Sequence, residues 1–250
     1  MKKISETRGL PELVNVPAFV LPDLAKWTVE ESLVFSDIES PFHGKFIEGD
    51  SRLLLIVGEN ASGKSLAFRL ISQLLGENTI EAMTLSVRER TGGGTFEMGR
   101  MRQAMIYGRE EVNSTGATSV RVVETGFRNL HTREIPSVLA LDEPEIGLSG
   151  SYSRALGTYI GQEAAKQKGN ACGVMVVTHS PGLVEGLVQG LGATPSFMSV
   201  APRTDELAYG VEDWLDSGNE KTIEDLKALG KVSHERYLAM QAVLNGAHEK

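Results

Sequence analysis

Residues 53–68 read "LLLIVGENASGKSLAF", from Leu53 to Phe68. Leu53 to Val57 is a short apolar run, suited to a strand buried on both faces of a parallel sheet. Gly58 to Gly63 is small and polar, so the backbone can wrap closely with its N–H groups turned inward around a polyphosphate. Leu66, Leu70 and Leu74 then recur at helical spacing, with Ile71 and Leu75 beside them. G-x-x-x-x-G-K-S, Gly58 to Ser65, therefore sits between a strand and a helix, the context a phosphate loop requires. In that reading Gly58, Glu59, Asn60, Ala61, Ser62, Gly63, Lys64, Ser65 and Leu66 line the bound phosphates. Lys64 reaches the β- and γ-phosphates, and the Ser65 hydroxyl holds Mg²⁺.

The chain around this stretch has 250 residues, 41% hydrophobic and 23% charged, enough for one sizeable core. A net charge of −8 argues against a generally basic, histone-like binder. The single Cys172 excludes an internal disulfide and suits a reducing, cytoplasmic setting. No apolar run approaches the roughly 18 residues that span a bilayer, so no membrane insertion is expected. "MKKISETRGL" has no apolar core behind its lysines and does not read as a secretory signal.

Strand and helix patterns alternate through most of the length. The expected fold is α/β, a P-loop NTPase with a mostly parallel central sheet flanked by helices and a small antiparallel N-terminal part. One domain over residues 1–250 is expected, with an N-terminal extension over 1–32 and a C-terminal helical extension over 203–250. The first of these holds Pro11, Pro17 and Pro22 and reads as extended or short helical pieces. Leu33 to Ser51 reads as one or two strands joined at "SPFHG", and Ala117 to Leu130 as a helix.

Two further motifs carry chemistry. "SVLALDEPEIGLS", Ser137 to Ser149, is a buried strand ending in Asp142 and Glu143. An Asp at a strand's carboxyl end beside a phosphate loop can hold Mg²⁺ through water, and Glu143 can then polarise an attacking water. Read alone, the pair is equally two acids opening a turn before Pro144. In "GVMVVTHSP", His179 follows a strand, and open α/β sheets bind ligands at the carboxyl ends of their strands. His179 is placed to contact a γ-phosphate or its water, with a packed or solvated imidazole as the plainer alternative.

The phosphate loop, "LDEPEIGLS" and "VVTHS" together resemble the ATP-binding-cassette (ABC) ATPases over Leu53 to Ser180, about half the chain. In that family the three are Walker A, Walker B with its catalytic glutamate and D-loop, and the switch histidine. The "DEPE-I-G-L" form is more similar to the soluble DNA-repair, recombination and overcoming-lysogenisation-defect branch than to transporters. The resemblance implies an ATPase with ATP and Mg²⁺ as cofactors, whose two copies pair around two nucleotides. Lys64, Glu143 and His179 take the catalytic places, and Ser65 and Asp142 the metal places.

It also implies a signature motif, and the best match is "NSTGATS", Asn113 to Ser119. Ser114 and Gly116 would face the γ-phosphate on the other chain; the plainer reading is a helix cap. Gln103 is assigned to the Q-loop and the metal, although it precedes rather than follows the strand pattern "AMIY". Ala61 stands where the family usually has glycine. Phe42, His43 and Phe46 are the candidates for stacking on adenine, each equally an ordinary packing residue.

Only fifty positions separate Lys64 from Ser114, little room for the helical subdomain that grips transporter membrane subunits. Output is therefore expected to pass to a separate effector protein or to nucleic acid, and the resemblance implies an ATP-dependent homodimer and a role in DNA transactions or defence. The alternative is a transporter's nucleotide-binding subunit. A small-molecule kinase is a third class, for which "DEPEIGLS" and His179 have no part. Eight arginines lie between Ser86 and Ile135, at 88, 90, 100, 102, 109, 121, 128 and 133, with no lysine. They read either as a phosphate-binding surface or as solvated faces and subunit ion pairs.

Overall fold

The computed structural model describes residues 20–86, 115–217 and 221–246. Six strands form one mixed, mostly parallel sheet: β1 Phe42–Ile47, β2 Asp50–Val57, β3 Glu81–Ser86, β4 Ser137–Asp142, β5 Ala171–Thr178 and β6 Pro195–Pro202. Their order across the sheet is β1-β6-β2-β5-β4-β3. Every neighbouring pair is parallel except β1 with β6. The fold is thus α/β, and its antiparallel part is the single edge strand β1.

Helices cover both faces. On one lie α1 Leu21–Glu30, α2 Leu33–Ser36, α3 Lys64–Glu77 and the last part of α8 Ile223–Gly246. On the other lie α4 Thr115–Thr132, α5 Gly150–Ala165, α6 Pro181–Leu191 and α7 Val211–Asp216. Strand pleating divides β2 between them: Leu54 and Ile56 join the first core cluster, and Leu53, Leu55 and Val57 the second. That is why "LLLIV" has no alternation: both faces are covered. α3 buries Ala67, Phe68, Leu70, Ile71, Leu74 and Leu75, its large side chains contributing about 1.5–3 kcal/mol each.

One expectation changes. "SPFHG" does not join two strands; it leads into β1, which pairs with the distant β6. Residues 20–32, expected as extended or short helical pieces, hold α1, whose Leu21, Leu24, Ala25 and Val29 are buried in the first cluster. α1 also explains Gly173, where a Cβ would come within 2.7 Å of Leu21. The strand pattern "AMIY" lies outside the described residues. Among the described residues no helix is long and apolar enough to cross a membrane.

Among the described residues α5 and α6 make the most extensive helix contact. A Cβ on Gly157 would lie 2.2 Å from the Leu183 carbonyl, and one on Gly186 would lie 2.1 Å from that of Arg154. Their backbones therefore touch, which only glycine at these positions permits. α5 follows the Glu143 turn and α6 follows His179, so the contact ties together the elements behind two candidate site residues. Ser180 caps α6 by accepting from the Leu183 N–H at 3.3 Å, with Pro181 in the first turn.

Candidate active site

The Gly58–Gly63 segment joins β2 to α3 at the carboxyl end of the sheet. Gly63 opens α3 with φ +99°, a backbone setting that other residues resist. A Cβ there would lie 3.1 Å from the Phe42 ring, so Phe42 packs directly against the loop. Ala61 is left-handed too, at φ +59°, a setting that glycine adopts without strain. The Ala61 carbonyl accepts a 2.9 Å hydrogen bond from Arg236 of α8. The Lys64 ammonium donates to the carbonyls of Gly58 and Glu59, both at 2.7 Å, and so curls back over the loop. Ser62 is buried, and its hydroxyl has no partner among the described residues.

β4 delivers Asp142 and Glu143, both buried. Glu143 turns the chain in a left-handed conformation, φ +50°, and its N–H donates to the Val177 carbonyl at 2.9 Å. Strain of this kind in a non-glycine residue costs about 1–3 kcal/mol and gathers at functional sites. β5, between β2 and β4, delivers Thr178 and then His179. The His179 Nδ1 lies 3.2 Å from the Glu143 Oε1. That hydrogen bond raises the imidazole above its ordinary value, against the opposing effects of burial and of the nearby Lys64 charge. Lys64, Glu143 and His179 thus share one electrostatic neighbourhood although they come from three segments.

Glu145 lies behind this group. It is 6% exposed, and burial raises its carboxyl above the usual range. The Thr178 hydroxyl donates to its Oε1.

The arrangement suits charge transfer around a polyanion: a cation in a glycine-rich loop, a carboxylate able to take a proton, and an imidazole hydrogen-bonded to it. Ser65 is the second residue of α3 and Asp142 ends β4, so a hydroxyl follows the loop after β2 and a carboxylate closes β4. Both are hard oxygen ligands of the kind Mg²⁺ takes, with water and phosphate completing its shell.

Other expected site residues fare differently. Ser114 and Gln103 lie outside the described residues. Gly116 is on the first turn of α4, where a Cβ would come within 2.6 Å of Leu148 of the same chain. The Ser119 hydroxyl ties α4 to the Ile146 carbonyl at 3.2 Å. Phe42 packs against the loop, and His43 Nε2–H donates to the Asp205 carbonyl at 2.8 Å. Of the eight arginines only 121, 128 and 133 are described; all are exposed, and Arg133 pairs with Glu81 at 3.1 Å. Sequence reasoning missed Glu145, which the second glutamate of "DEPE" signals, and Arg236, for which no local pattern exists. Comparisons of the chain with protein-family models, with curated proteins and with solved structures found no match.

Proposed function

We propose that this chain is a Mg-ATP hydrolase of the P-loop class that works as a molecular switch. It pairs two copies around two nucleotides and passes the change to a separate protein or to nucleic acid in the cytoplasm. The observation that carries the reading is the convergence of Lys64, Glu143 and His179 at the carboxyl ends of adjacent strands, with Glu143 and His179 3.2 Å apart. The resemblance to ABC ATPases supports the pairing and the choice of ATP.

The residues present fit both implied groups. The Gly58–Ser65 loop offers a buried lysine and an unpartnered buried hydroxyl, Ser62, to a polyphosphate. Ser65 and Asp142 would hold Mg²⁺. When bound, ATP supplies the phosphoanhydride bond and Mg²⁺ neutralises phosphate charge. The chain's own residues do the rest. Lys64 exchanges its two loop carbonyls for phosphate oxygens. Glu143 orients a water and accepts its proton. His179 holds the Glu143 carboxylate in place through Nδ1.

Lys64→Ala tests the reading. The variant is expected to keep its fold and to lose ATP hydrolysis by at least about 100-fold, since the main cation on the transferring phosphate is gone. Product analysis of the wild type should find free phosphate in water; phosphate on an organic acceptor would make the chain a kinase. A Lys64→Ala protein that hydrolyses ATP like the wild type overturns the assignment.

A further inference from the structure

The Glu143–Leu148 turn and the Val177–Ser180 strand end are joined by three hydrogen bonds. The Glu143 N–H donates to the Val177 carbonyl, the Thr178 hydroxyl to Glu145 Oε1, and the His179 and Glu143 side chains meet at 3.2 Å. Thr178 Oγ1 does two things at once. It accepts the Ser180 N–H at 2.9 Å, so its own proton is directed to Glu145. Thr178 is wholly buried and Glu145 nearly so. His179 is the residue between these two anchored neighbours. The backbone on either side of the imidazole is thus tied, through the Thr178 hydroxyl, to Glu145.

Glu145 is costly where it stands. Its Oε2 is buried with no partner among the described residues. An unsatisfied buried carboxyl oxygen calls for an explanation in what the group does. Packing alone would be served by a leucine of similar size. The other carbonyl bonds of the turn, Ile146 N–H to Glu143 and Leu148 N–H to Glu145, need no side chain.

We propose that Glu145 is a positioning residue: through Thr178 Oγ1 it fixes the 178–180 backbone and so holds the His179 imidazole against Glu143. It touches no reacting atom, and it works as a hydrogen-bond acceptor rather than as a charge. Its consequence for turnover rests on the hydrolase reading above; the contact it maintains does not.

The test uses the full chain in two measurements. The first is NMR of nitrogen-labelled histidine without nucleotide, with the His179 signal identified by its loss in His179→Gln. Glu145→Leu and Thr178→Val should each remove the signature of the Nδ1 hydrogen bond, and Glu145→Gln should keep it. The second is steady-state ATP hydrolysis. Glu145→Leu and Thr178→Val should each lower kcat about 10-fold at unchanged KM, because ground-state binding is untouched. The double variant should lose no more than either single one, since both cut the same link. Glu145→Gln should stay within about 2-fold of wild type, the conservative change restoring the acceptor. Thr178→Val is nearly isosteric and keeps the test informative if Glu145→Leu folds poorly.

An unchanged imidazole signal in Thr178→Val or Glu145→Leu overturns the proposal. So does a Glu145→Gln protein as impaired as Glu145→Leu, which would make the charge essential. If the imidazole responds as stated while wild type hydrolyses no ATP, the hydrolase reading falls and the positioning role stands.

Discussion

Among the described residues three non-glycine residues have left-handed backbones, and two of them, Ala61 and Glu143, are in the candidate site. Ala61 bends the Gly58–Ser65 loop, and Arg236 holds its carbonyl. Ala61→Gly should relieve about 1 kcal/mol of strain and raise the thermal midpoint by about 2–4 °C. Thermal unfolding checks this; a lower midpoint would show that the backbone freedom added by glycine outweighs the strain. Glu145 adds a pH dependence. Burial raises its carboxyl above the ordinary 4.5. Between that value and its raised native one, the folded chain binds more protons than the unfolded chain. Wild-type stability therefore falls as pH rises through this window. Glu145→Gln removes the titration. The stability difference, Gln variant minus wild type, should be flat below the ordinary carboxylate range, grow across the window, and level off above it. His179 runs over a different range: its pairing with Glu143 stabilises fully below about 6.5 and is lost as pH rises through its raised native value. It titrates in both proteins and largely cancels in the difference. Denaturant midpoints across pH measure the effect, and a flat difference would place Glu145 in a more polar setting than its burial implies.

At the level of elements, α5 and α6 trade helix propensity for contact. Each interior glycine costs a helix roughly 1 kcal/mol relative to alanine. They are tolerated because the backbones meet there, as at Gly157 against the Leu183 carbonyl. Gly186→Ala should therefore destabilise by about 1–3 kcal/mol, its Cβ meeting the Arg154 carbonyl, despite the better propensity of alanine. Gly76→Ala in α3, with open space around its Cβ, should instead stabilise by about 0.5–1 kcal/mol. Unfolding midpoints that moved in the same direction for both would refute the close-contact account. α8 divides unevenly. Met240 is buried and Val243 and Leu244 pack on the first core cluster, while Ile223 and Leu226 are exposed. Arg236, one turn before Met240, reaches the Ala61 carbonyl from the anchored part.

For the whole molecule, the pairing of two copies is the decisive question. Glu143→Gln keeps the shape of the side chain and removes the proton acceptor, so ATP should bind and persist. Light scattering with Mg-ATP should then give twice the mass found without it. A variant that binds ATP tightly at unchanged mass would refute closure around two nucleotides and leave Gly116 as part of a plain helix start. Much of this organisation was legible along the chain. "LLLIV", "SVLALD" and "VMVVT" are apolar without alternation because each strand is covered on both faces, and those strand ends are where Lys64, Asp142, Glu143 and His179 were sought. Local periodicity and turn chemistry act over a few residues, so a sequence pattern records them. What depended on distant chain did not show. β1 pairs antiparallel with β6, α1 belongs to the core, and Phe42 packs on Gly63. Arg236 meets Ala61 across 175 positions, and Glu145 meets Thr178 across 33. By itself the sequence determined the strands, the glycine-rich loop and the acid and histidine that end their strands. Only the tertiary structure decided which side chains those residues lean on, because such contacts follow from the order of strands across the sheet, which no local stretch encodes.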